Sequence, residues 1–156
     1  MATTSAGILL YRRGPGGIEV LLGHLGGPYW AKKDDGAWSI PKGEHGPDEE
    51  PVAVARREFE EELGSPVPAD ELLPLGQLKV TSSKLLTVWA ADGDLDATAT
   101  TSNTFELEWP PRSGRMQEFP EVDRAAWFGV EEARSKLLKG QVPFLDRLLD
   151  RVPPPT

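Results

Sequence analysis

Between Gly43 and Ser65 the chain reads G-E-H-G-P-D-E-E-P-V-A-V-A-R-R-E-F-E-E-E-L-G-S, and three of its carboxylates fall in a pattern that could do chemistry. Glu58, Glu61 and Glu62 stand at i, i+3 and i+4. On a helix of ~3.6 residues per turn they share an arc of roughly 100° on one face. Like charges at that spacing repel and weaken a bare helix, so the arrangement calls for a cation. Ligands made only of oxygen suit hard divalent ions, Mg²⁺ or Mn²⁺. The plainer alternative is a solvated acidic face laced by i, i+4 pairs such as Arg57 with Glu61. Against it stand the other residues fixed around the glutamates: Gly43, Glu49, Arg57 and Gly64.

Together these seven residues resemble the Nudix box, G-x5-E-x7-R-E-U-x-E-E-x-G-U, where U is a bulky aliphatic residue. All seven invariant positions are filled, by Gly43, Glu49, Arg57, Glu58, Glu61, Glu62 and Gly64. At about 7% usage per residue type, a chance match somewhere in the chain is on the order of one in a million. Two positions depart from the pattern: the first U is Phe59, and the last is Ser65, with Pro66 behind it. Both departures touch the helix and its exit rather than a charged role.

The resemblance implies hydrolysis of a nucleoside diphosphate linked to another group, with water attacking a phosphorus of a P–O–P bridge. It makes Glu58, Glu61 and Glu62 the ligands of Mg²⁺ (or Mn²⁺), joined by the backbone carbonyl of Lys42 or Gly43. Arg57 would orient the box glutamates and Glu49. The W-S-I-P-K-G stretch ahead of the box resembles the lead-in of several Nudix pyrophosphatases and directs Lys42 at a substrate phosphate; otherwise Lys42 is an ordinary exposed lysine. Family members often take a further carboxylate, as ligand or base, from well after the box. Glu118 and Glu121 both lie in that region, and Glu118 is the one favoured. The unusual F-E-L-E-W-P-P-R segment reads as a substrate-side element, with Arg112 and Arg115 as phosphate contacts. The proline expected of an ADP-ribose type is replaced by Val80, and Ser82 and Ser83 stand where a diadenosine-polyphosphate type would carry tyrosine. The lead-in and the short chain favour a nucleoside polyphosphate, a diadenosine polyphosphate or an NTP. The rival is a non-catalytic Nudix-fold module that senses a nucleotide.

The elements that must position these groups follow from periodicity. Thr4–Arg12 and Ile18–Leu22 read as a hairpin across Gly14-Pro15-Gly16-Gly17. Ala37–Ile40 is a short strand leading to Pro41-Lys42-Gly43. From Asp48 to Leu63 the period becomes helical, with Val52, Ala55, Phe59 and Leu63 as the apolar stripe. Gly64 suits a left-handed cap, and Pro66 and Pro68 forbid continuation. Leu72–Thr81, Lys84–Ala91, Phe105–Trp109 and Ala125–Phe128 read as strands. Val130–Leu138 and Pro143–Leu149 read as helices. The pattern predicts an α/β fold, and the resemblance implies an α/β/α sandwich around a mixed β-sheet, as one domain over 1–152 with a Pro-rich tail at 153–156.

Composition sets the outer limits. A chain of 156 residues buries roughly two-thirds of its unfolded surface. There are no cysteines, which excludes disulfides and thiolate metal sites. A net charge of −8 argues against a general nucleic-acid surface. No apolar run approaches a membrane span and no secretory leader is visible, so cytoplasm is the expected compartment, with a small nucleotide as the partner and a monomer or homodimer as the assembly. Asp92, Asp94 and Asp96 copy the start of a calcium loop, but Ala97 and Asn103 occupy its glycine and glutamate positions, so a polar loop is expected. His24 and His45 have no partner histidine at ligand spacing. The five tryptophans, Tyr29 and Phe105 are core residues or base-stacking candidates.

Overall fold

In a computed structural model that describes residues 3–152, the run Ala6–Tyr11 organises the fold. It lies in strand β1 (Thr3–Gly14), and Ile8, Leu9 and Leu10 are wholly buried. A strand covered on both faces needs a continuous apolar run rather than an alternating one. Its side chains still alternate in direction. Leu9 and Tyr11 join one core with Val20, Leu22, Phe144, Leu145 and Leu148. Ile8 and Leu10 join the other with Leu21, Ala55, Phe59 and Leu63. Two cores on one sheet are what a three-layer sandwich requires.

Among the described residues the sheet has seven strands. β2 (Gly17–Leu25), β3 (Trp38–Ser39), β4 (Lys42–Glu44), β5 (Leu73–Thr81), β6 (Lys84–Asp92) and β9 (Val122–Gly129) join β1, with β7 (Thr104–Glu108) and β8 (Met116–Pro120) apart as a two-stranded hairpin. The order is β3-β2-β1-β6-β5, with β4 also pairing β1 and β9 also pairing β2. Among the described strand pairs only β1 and β6 run parallel, so the sheet is mixed. Helix α1 (Pro51–Leu63) packs on one face, and α2 (Val130–Lys136) and α3 (Pro143–Arg151) on the other.

Several boundaries move for local reasons. The helix starts at Pro51, not Asp48: the proline ring fixes φ for a first helical turn and holds Glu50 extended at ψ 119°. Its buried stripe is Val54, Ala55, Phe59 and Leu63, so Val54 rather than Val52 turns fully inward. The strand expected over Ala37–Ile40 shrinks to Trp38–Ser39, because Pro41 has no N–H to offer a ladder. Strand β8 had no signal in the sequence, since its pairing to β7 leaves its first three residues exposed. The tail at 153–156 lies outside the described residues.

Candidate active site

Gly43 and α1 meet face to face. Gly43 pairs with Ala6 on β1, and the Glu58 carboxylate lies directly over its α-carbon, in the space a Cβ would occupy. Any larger residue would expel that carboxylate, which is a physical reason for glycine here. At the other end of the helix, Gly64 takes φ 78° and its N–H bonds the Glu60 carbonyl at 2.7 Å.

The last helical carbonyls need partners that the helix itself cannot supply. They find them in the following loop: Thr101 N–H donates to Leu63 at 3.2 Å and Asn103 N–H to Glu61 at 2.9 Å. The Asn103 carbonyl then accepts from Glu121 N–H at 2.9 Å. This chain of backbone bonds fixes Glu121 beside the box glutamates. A cleft of about 420 Å³ results, lined by Lys42, Gly43, Glu44, Glu58, Glu62, Asn103 and Glu121.

Arg57 organises the rim. Its guanidinium lies 3.4 Å from Glu49, 3.6 Å from Glu58 and 3.9 Å from Glu61. Half exposed, these pairs add little stability, but they restrict where the carboxylates point. Glu49 stands outside the helix and also accepts from Gly46 N–H at 2.9 Å; that bond, with Arg57, holds its carboxyl below the usual range.

The inner carboxylates behave oppositely. Burial, then the charge of Glu61, raises Glu58, against the pull of Arg57. Glu62 is pushed up to about 8, chiefly by burial. Lys42 opposes that rise, while the charges of Glu58 and Glu121 add to it. Desolvated carboxylates that repel one another mark a place built for positive charge.

The remaining sequence candidates divide cleanly. Lys42 lines the cleft. Glu118 does not: it sits on β8, exposed and opposite Glu106. The register of β8 carries it up the hairpin, whereas the backbone bond at Asn103 ties Glu121 to the helix end. Arg112 and Arg115 lie at the turn between β7 and β8, exposed, with Arg112 at φ 63°, and neither lines the cleft. Among the described residues no aromatic side chain lines it either. Trp38 packs edge-on against His24 and Phe128, and Trp109 against Tyr29. His24 is fully buried between Asp123 at 2.8 Å and the Lys33 carbonyl at 2.6 Å, and His45 contacts the Gly46 carbonyl. Asp94 pairs with Arg12, and Asp96 accepts from Thr98 N–H, as a polar loop would.

The sequence pattern of the NUDIX domain matches residues 1–151. The chain belongs to this family. As a Nudix hydrolase it cleaves phosphoanhydride bonds. Solved structures share the fold at low identity. A Caenorhabditis elegans Ap4A hydrolase binary complex is 22% identical, with TM-score 0.64, covering 94% of this chain and 96% of its own. The NUDIX domain of Shewanella oneidensis NrtR, solved with ADP ribose, is 12% identical, with TM-score 0.65 and coverage of 97% and 88%. RenU, a Nudix hydrolase from M. smegmatis, is 22% identical, with TM-score 0.62 and coverage of 96% and 87%. No curated protein matches the chain in a sequence comparison.

Nudix hydrolases generally use divalent metals. The donor set here suits one: carboxylates and backbone carbonyls, without sulfur or histidine, surround the cleft. Among the described residues no three acidic or histidine side chains are already drawn together around one point. Arg57 draws Glu58 and Glu61 towards the rim, so an ion would have to compete with it for them. Among the described residues, no helix is long and apolar enough to cross a membrane.

Proposed function

We propose that the chain is a Mg²⁺- or Mn²⁺-dependent pyrophosphohydrolase of nucleoside diphosphates linked to another group, acting on nucleoside polyphosphates such as a diadenosine polyphosphate or an NTP. The observation that carries this reading is the cleft that Glu58, Glu62 and Glu121 line together with Gly43, with Glu62 strongly desolvated. Glu58, Glu61 and Glu62 are the proposed ligands, with a backbone carbonyl of Lys42 or Gly43. Glu121 takes the part of the further carboxylate. A bound divalent ion supplies Lewis acidity towards phosphate oxygens and water.

The chain's own groups do the rest. Lys42 offers a positive charge to a phosphate at the cleft. Water attacks one phosphorus of the P–O–P bridge, a new P–O bond forms, and the bridging oxygen leaves with the other phosphate. The proton released by the water passes to a cluster carboxylate, for which Glu121 is placed and exposed. Arg57 keeps Glu58 and Glu61 from drifting as charge builds.

The experiment is a product-identified hydrolysis screen with Mg²⁺ and Mn²⁺ over NTPs, diadenosine polyphosphates, ADP-ribose, dinucleotide cofactors and nucleotide sugars, with Glu62→Gln alongside. Cleavage of one substrate by wild type alone supports the reading. Tight nucleotide binding in calorimetry with no product from any substrate would replace it with the sensing module.

A further inference from the structure

A second cleft shares Lys42 with the first. It measures about 280 Å³ and is lined by Val80, Thr81 and Lys84 from the β5–β6 hairpin, by Leu138 to Gln141, and by Lys42. Three lysines and no carboxylate face it, in a chain whose net charge is −8. Among the described residues neither Lys84 nor Lys139 has an ion-pair partner, and both are exposed.

The cleft is held in shape rather than assembled by chance. Buried Gln141 accepts from Ile40 N–H at 2.9 Å and donates to Ser39 Oγ at 3.0 Å. Leu138 N–H donates to the Trp38 carbonyl at 2.8 Å. These bonds staple the Leu138–Gln141 turn to the strand that runs directly into Lys42. On the opposite wall, Lys84 is the first residue of β6, paired with Thr3 at the edge of the parallel ladder. Val80 and Leu138 give the cleft apolar surface beside the lysines.

We infer that the Lys42–Lys84–Lys139 cleft is an anion subsite for phosphate groups that continue beyond the bridge being cut, so that the substrate is a chain of several phosphates. The inference rests on the proposed function for its orientation and deepens it. Lys42 belongs to both clefts, so a ligand crossing it has one phosphate at the glutamates and the next among the lysines. The volume is below the ~300–1,000 Å³ of pockets that enclose a whole small ligand, and it fits one end of a longer one. Lysines bind phosphate as point charges, without a preferred in-plane geometry, which suits a flexible polyphosphate.

The test separates this subsite from the hydrolase reading. Inorganic tripolyphosphate is titrated by calorimetry into the protein in EDTA, where hydrolysis plays no part. Lys84→Ala/Lys139→Ala is expected to weaken binding about tenfold or more, with an unchanged melting temperature, because both side chains are exposed. Lys79→Ala removes an exposed lysine of β5 outside the cleft and is the control for overall charge. It is expected to change affinity by less than about twofold, as screening weakens distant surface charges. On the best nucleotide substrate the double variant should raise KM about tenfold with kcat kept, the signature of lost uniform binding. Unchanged affinity in the double variant, or an equal loss in Lys79→Ala, overturns the subsite even where hydrolysis is intact. Loss confined to the double variant upholds it even where no substrate is turned over.

Discussion

Lys42 stands between a cleft of glutamates and a cleft of lysines, and the two are put together differently. The acidic side draws Glu58 and Glu62 from one helix and sets Gly43 across from them. Only Glu121 and Asn103 arrive from far along the chain. The basic side draws each of its lysines from a separate segment: β4, the start of β6 and the turn after α2. Lys84 and Lys139 are exposed and without an ion-pair partner among the described residues, whereas Glu62 is desolvated enough to be pushed up to about 8. Chemistry belongs where charge is confined, and loose attraction belongs where it is not. Substitutions on the acidic side should therefore act on kcat, and those on the basic side on KM.

The largest effects should come from Glu58→Gln and Glu62→Gln. Each is expected to fold and to lower kcat ~10²–10³-fold, the scale on which losing one group that stabilises transition-state charge acts. Steady-state kinetics with circular dichroism checks this, and wild-type turnover in both variants would remove the glutamates from the machinery. Gly43→Ala comes next. Its Cβ would collide with the Glu58 carboxylate, and a displacement on the order of 1 Å costs about 10²-fold in a positioned site. If Gly43→Ala keeps full activity, Glu58 can work from another position and the close approach has no catalytic meaning. Glu121→Gln should lower kcat about 10²-fold, at the low end of acid–base contributions. Glu118→Gln should leave kcat within about twofold. The reverse order would restore Glu118 to the site and require the hairpin to bend inward.

How much of this was visible beforehand differs between the two sides for the same reason. A helix displays its periodicity in consecutive residues, so Glu58, Glu61 and Glu62 announced a shared face before any fold was known. The mixed α/β sandwich was also legible, because β1 is an unbroken apolar run and α1 carries an apolar stripe. Which of Glu118 and Glu121 lines the cleft was not legible. It depends on Asn103 bonding both to Glu61 and to Glu121, a backbone link that leaves no mark on side-chain pattern. Strand β8 stayed hidden because it pairs without being buried. Of the lysine cleft only Lys42 had a signal: Lys84 and Lys139 acquire meaning only once Gln141 ties its turn to Ile40. The notable hairpin sequence around Arg112 attracted a substrate role, yet its turn lies away from both clefts.

The smallest expected effect concerns the metal-free protein and how its stability varies with pH. Folding raises the Glu62 carboxyl from its ordinary 4.5 to about 8, through burial and the charges of Glu58 and Glu121, against Lys42. Between those values the folded state keeps a proton that the unfolded chain has released. Where the native state binds more protons, stability falls as pH rises. In EDTA the stability of wild type should thus decline from pH 4.5 towards 8 and level off above it. Gln at position 62 cannot ionise and escapes this decline. Partial exposure of the side chain discounts the effect to about 1–2 kcal/mol, or roughly 2–8 °C in Tm for a chain of this size. Glu62→Gln should therefore melt above wild type at pH 8.5 and close to it at pH 4.5. Added Mg²⁺ should close the gap by raising wild type alone, since an ion bound only by the folded protein stabilises it. A variant that melts below wild type at pH 8.5 in EDTA would mean that Glu62 is satisfied by Lys42 without a metal, and that the acidic cleft is a structural pair rather than a site waiting for charge.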